Sequence, residues 1–110
     1  MATGGRITVH PNALVEAVEA YQWYRERSVR TAHNFRRELK GALGRLKRNP
    51  EASPPYEDET RRLLMRAFPF AVVYRELETH IEILAIAHTR RRPLYWQGRA
   101  EPESEVPAPD

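Results

Sequence analysis

Apolar positions along this chain recur first at a spacing of two, then at the three-to-four spacing of helices, and last in three dense β-rich runs. Residues 6–10 (Arg-Ile-Thr-Val-His) alternate polar and apolar and stop at Pro11, which predicts a short first strand. A helix is predicted from Pro11 to near Glu26. Its apolar stripe is Leu14, Val18 and Tyr21, widened by Ala17 and Tyr24, with Glu16, Glu19 and Gln22 opposite. Trp23 and Tyr24 are assigned to the core. Ser28 suits the N-cap of a second helix, since its hydroxyl can accept an amide hydrogen that the first turn leaves unpaired. That helix carries Ala32, Phe35, Leu39, Ala42, Leu43 and Leu46 on one stripe and Arg36, Arg37, Lys40, Arg45, Lys47 and Arg48 on a solvated one. Gly41 and Gly44 each cost about 1 kcal/mol against alanine there, so either another backbone approaches closely or the site simply faces solvent. Asn49-Pro50 ends the helix, and Pro54-Pro55 keeps the following stretch extended.

The runs at residues 62–67, 70–75 and 81–88 read as three strands. Pro69 cannot donate to a sheet ladder and separates the first two, and a second turn falls near residues 77–79. Residues 83–87 are apolar at every position, which places that strand inside the sheet with both faces covered. The two-residue gap between the helices makes them an antiparallel hairpin, whose apolar stripes need a third surface. The expectation is an α+β domain of order β-α-α-β-β-β, the hairpin packed on a mainly antiparallel sheet.

Length and charge refine this reading. The 110 residues suffice for one core. All 18 Lys and Arg lie in the first 99 residues with 11 of the 15 acids, a net charge of +7, while the last eleven residues carry four acids and no base. The expected boundaries are a flexible terminus over 1–5, a folded basic domain over 6–99, and a disordered, acidic, proline-rich tail over 100–110. No cysteine is present, and neither an apolar leader nor a membrane-length run appears, which suggests a cytoplasmic protein without membrane contact. His10, His33, His80 and His88 show no paired ligand spacing, so no metal is expected. No phosphate loop or nucleophile elbow appears, so no cofactor is expected either.

The chemistry gathers where the most buried strand ends. His88-Thr89-Arg90-Arg91-Arg92-Pro93-Leu94-Tyr95-Trp96 puts three arginines and two aromatics directly after it. Arg90, Arg91 and Arg92 can grip phosphates or carboxylates bidentately, or form a solvated basic turn. His88 can act as a general base or orient the turn by a hydrogen bond. Tyr95 and Trp96 can stack on a base, or one of them, with Trp96 the better placed, can close the open edge of the core.

In this order and at these spacings, four pieces of the chain resemble the RelE/ParE toxin superfamily of type II toxin-antitoxin systems. They are Glu19-Ala20-Tyr21-Gln22-Trp23-Tyr24, the segment from Phe35 to Leu43, Arg66-Ala67-Phe68-Pro69-Phe70-Ala71-Val72-Val73-Tyr74, and the segment from Ile83 to Trp96. The resemblance spans about residues 7–99. It implies a toxin that arrests growth, contributes to plasmid stabilisation, and is neutralised by a cognate antitoxin. Within the superfamily, the RelE-like branch cleaves mRNA on the ribosome and the ParE-like branch poisons DNA gyrase. Two positions that are basic and catalytic in the RelE-like branch fall here on Leu64 and Ala71, which neither stabilise an anion nor move a proton. Arg62 and Arg90 fall on matching basic positions. The C-terminal segment resembles the ParE-like branch more closely, so gyrase is the favoured target and the ribosome with mRNA the alternative, with a non-toxic basic interaction module as a weaker one. Enzymatic activity is left open and disfavoured; a metal-independent endoribonuclease would draw on Arg62, Arg66, His88, Arg90 and Tyr95. The expected target- or antitoxin-binding residues are Arg62, Arg66, His88, Arg90, Arg91, Arg92, Tyr95 and Trp96.

Overall fold

Two β-branched runs supply the centre of the sheet. In the computed structural model, which describes residues 6–99, they form β3 (Phe70–Glu76) and β4 (Ile81–His88), joined by a tight turn in which Leu77 N donates to His80 O at 2.8 Å. β1 (Ile7–Val9) pairs in parallel with β4 and β2 (Arg61–Leu64) pairs antiparallel with β3, giving the order β1-β4-β3-β2. The fold is α+β, and β4 is an inner strand as its unbroken apolar run requires. Register shifts between Val73↔Ala85 and Tyr74↔Ile83, so Leu84 is an extra residue that bulges β4.

Helices α1 (Pro11–Arg25) and α2 (Val29–Arg48) form the hairpin. Pro11 stands at the first helical position, where its missing N–H costs nothing. Ser28 caps α2, its Oγ accepting from Thr31 N at 3.1 Å. The predicted stripe of α2 holds: Ala32, Phe35, Ala42 and Leu46 are buried. A Cβ on Gly41 would meet nothing within 4 Å and one on Gly44 only the Arg48 guanidinium at 3.4 Å, so both glycines face outward.

α1 corrects the sequence reading. Leu14 and Val18, expected in its core stripe, are 58% and 46% exposed, and Trp23 is 52% exposed. The inward face is Ala13, Glu16, Ala17, Ala20, Tyr21 and Tyr24, so Ala17, Tyr21 and Tyr24 of the expected stripe do pack on the core. Small side chains let the helix axis come close to β4, which bulkier leucine or valine would prevent.

β4 is covered on both faces. Ala13 of α1 and Leu46 of α2 close over Val72, Tyr74, Ile81, Ile83 and Ile86 on one side. Trp96 closes over Val73, Leu84, Ala85 and Ala87 on the other. A third cluster joins Phe35 to Tyr24, Phe68 and Phe70, with ring centroids 5.3 to 5.5 Å from Phe35. Residues 1–5 and 100–110, for which a flexible start and an acidic disordered tail are expected, lie outside the described residues. Among the described residues, no helix is long and apolar enough to cross a membrane, and no group of three His, Cys, Asp or Glu is placed to hold a metal ion.

Candidate functional site

The site is built where β4 runs out. His88 is the last residue of β4, and its backbone and ring together shape the adjoining turn: Arg91 N donates to His88 O at 2.9 Å and Arg90 N donates to His88 Nδ1 at 3.1 Å. With Nδ1 accepting, the neutral ring carries its proton on Nε2. The ring also meets Phe70 edge-on at 5.1 Å. His88 is thus the orienting group of the turn. Thr89 N donates to Pro69 O at 2.9 Å, which ties this turn to the one between β2 and β3. Arg66 stands in that neighbouring turn, where the Glu38 carboxylate of α2 accepts from the backbone amides of Arg66 and Ala67. The two basic turns therefore share one end of the sheet.

On the face of the sheet away from the helices, a shallow cleft of about 60 Å³ brings Arg62, His88, Arg91, Arg92 and Tyr95 to its walls. Arg62 lies over the ring of Tyr56 at 4.5 Å. Arg66 and Arg90 do not line the cleft. Trp96 also lines the cleft, but at 2% exposure it is chiefly the aromatic that closes the core. Tyr95 is half-buried. Its hydroxyl donates to Glu16 Oε2 at 2.9 Å, and the guanidinium of Arg91 lies 3.7 Å from its ring centroid. Burial, then donation to the Glu16 carboxylate, push its phenol well above the usual tyrosine range. A proton held so firmly is poorly suited to general-acid work.

Sequence reasoning misses Glu16 and Arg99. Periodicity puts Glu16 on the solvated side of α1, yet its side chain is 11% exposed. It accepts from Ile86 N at 2.9 Å, from Arg91 Nη1 at 3.3 Å, and from both Arg99 Nη1 and Nη2 at 3.1 and 3.0 Å, besides Tyr95. The one signal in the sequence is a glutamate flanked by the alanines at 13, 17 and 20, a face too small-sided to be solvent-directed by default. Leu94, with φ of 65°, turns the chain so that residues 95–99 fold back on the sheet. That left-handed conformation is strained for a branched side chain.

A further groove of about 540 Å³ runs between α1 and the end of the sheet, lined by Trp23, Tyr24, Phe70, Ile86, His88 and Arg91 among others. Leu14, Val15 and Val18 leave an apolar strip exposed along α1. At the same end of the sheet, Leu64 and Ala71 are cross-strand partners, the first exposed and the second buried, with Ala71 beside Ala87 on the cleft wall.

The family profile described as the ParE toxin of type II toxin-antitoxin system, parDE, matches residues 7–93. A solved structure titled "Chromosomal ParDE TA system from P. aeruginosa" is similar to this chain with a TM-score of 0.69 and 19% sequence identity, covering 81% of this chain and 100% of that one. At that identity the likeness concerns the fold. No curated protein gives a significant match.

Proposed function

The chain belongs to the ParE toxin family of type II toxin-antitoxin systems, and from that premise we propose that it arrests growth by poisoning DNA gyrase and is held inactive by a cognate antitoxin. The observation that carries the target is the Leu64↔Ala71 pair. In an RNA-cleaving relative of this fold these two positions hold basic groups; here they make an apolar cross-strand pair that neither stabilises a phosphorane nor transfers a proton. Losing one positioned acid or base typically costs about 10² to 10⁴ in rate. The engagement of the Tyr95 hydroxyl with Glu16 supports the same reading, because it occupies the phenol of the C-terminal segment.

In this reading the poison acts by binding. Arg90 and Arg92, with Arg62 and Arg66 at the same end of the sheet, supply the cations that grip the target. The antitoxin covers the apolar strip of Leu14, Val15 and Val18 and brings acids to the arginines. Work is done in the cytoplasm, where gyrase and antitoxin are met.

Expression of the chain without a partner is expected to induce a DNA-damage response, and purified chain to inhibit gyrase supercoiling. Cleavage of mRNA in a translating extract with supercoiling untouched would overturn the target and favour the ribosome.

A further inference from the structure

Glu16 has no place in the proposed activity, yet its carboxylate is the most heavily bonded side-chain group of the described residues. Oε1 accepts from Ile86 N and Arg99 Nη1, and Oε2 from Tyr95 Oη, Arg91 Nη1 and Arg99 Nη2. Every one of these donors lies at least 70 positions away in the chain. The location explains the need. β1 covers the edge of β4 only as far as Ile83, whose carbonyl takes His10 N at 2.9 Å. Beyond it, Leu84 O receives Arg99 Nη1 at 3.0 Å and Ile86 N is taken by Glu16. A carboxylate-guanidinium pair stands where a longer β1 would have stood.

That pair also sorts the arginine triplet. Arg91, though its side chain stays 53% exposed, is tethered to Glu16 and lies over the Tyr95 ring. Arg90 and Arg92 are exposed and make no ion pair among the described residues. Without Glu16, Tyr95 and Arg99 lose their shared acceptor, and the segment keeps the Trp96 packing and two single hydrogen bonds, Arg99 Nη1 to Leu84 O and Gln97 Nε2 to Asp58 Oδ2.

We propose that Glu16 is a positioning residue: together with Arg99 it fastens the C-terminal segment to α1 and β4, so that Arg90 and Arg92 face the target in a fixed orientation. The inference rests on the growth-arrest reading for its functional half. Its structural half stands separately.

The full chain is compared with Glu16→Gln, Arg99→Met and Arg99→Lys by amide hydrogen exchange and by growth arrest at matched expression. Glutamine keeps the size but turns an amide N–H₂ toward donors; methionine keeps the stem of Arg99 without its charge; lysine keeps the charge and N–H donors on one nitrogen but loses the two-nitrogen fork. In Glu16→Gln and Arg99→Met, amides of residues 95–99 are expected to exchange about tenfold faster or more, as the loss of one charge-assisted hydrogen bond implies, while those of residues 72–74 keep their rate. Growth arrest falls in both and is partly restored in Arg99→Lys. Unchanged exchange over 95–99, or equal acceleration over 72–74, overturns the positioning role. If the unsubstituted chain does not arrest growth, the functional reading fails by itself, and the exchange data still decide whether Glu16 holds the segment.

Discussion

Replacing Glu38 with alanine tests how the second basic turn is held. The Glu38 carboxylate reaches from α2 to the backbone of the β2–β3 turn, accepting from Arg66 N through Oε2 and from Ala67 N at 3.2 Å through Oε1. A hydrogen bond to a charged group contributes roughly 1.5–3 kcal/mol, but this one is partly open to water, so about 2 kcal/mol for the two together is the reasonable expectation. Glu38→Gln keeps one good acceptor and loses the charge, which should cost about 1 kcal/mol. Urea unfolding is expected to show a lower midpoint for both variants at unchanged slope, ordered alanine below glutamine. Amide exchange at Arg66 and Ala67 should quicken while Val72 is unaffected at the native-state limit. A midpoint for Glu38→Ala indistinguishable from the parent, with protected amides at 66 and 67, would refute the idea that a helix carboxylate fixes this turn.

The same geometry gives three more expected outcomes. The double replacement Arg90→Ala and Arg92→Ala should leave stability within about 0.5 kcal/mol, since both side chains are exposed, yet abolish growth arrest at equal protein level. Phe35→Ala should cost about 3–5 kcal/mol in chemical unfolding, because it empties the centre of the Tyr24–Phe68–Phe70 cluster; a loss below about 1 kcal/mol would mean the cluster is loosely packed. The Tyr95 phenol is raised in the folded state, so the folded form binds its proton more tightly than the unfolded one. Its contribution is therefore whole below about pH 10 and is lost as pH rises from there toward the folded value, and Tyr95→Phe should flatten that alkaline decline in unfolding midpoints.

Most of the fold is legible in the sequence because its signals are local. Ser28 as a cap, Pro11 at a helix start, Pro69 between strands and the unbroken apolar run of residues 83–87 each act through backbone sterics or full burial, and each stands where expected. The face of α1 is misread for a physical reason. Periodicity reports which side is more apolar, but α1 packs through alanines and a satisfied carboxylate, leaving its bulkier Leu14 and Val18 outside. A buried Glu16 is visible only once Tyr95 and Arg99 are known to fold back onto it, and nothing in the sequence spacing announces a contact between positions 16 and 99. The basic end of the sheet is legible as a cluster of residue types. Which arginine is tethered is not, because that depends on the same distant partner.

The parallel pairing of β1 with β4 joins residues 7–9 to residues 81–83, so during synthesis the first strand of the described sheet waits for its last. Loop closure of this length must precede the contacts that reward it. Synthesis that stops before Ile81 thus leaves β1 without its neighbour and β3 without its inner partner, and such a fragment should show no cooperative thermal transition by circular dichroism. In a toxin of this family, a sheet that cannot close until residues 81–83 are made would leave shorter translation products without the folded surface.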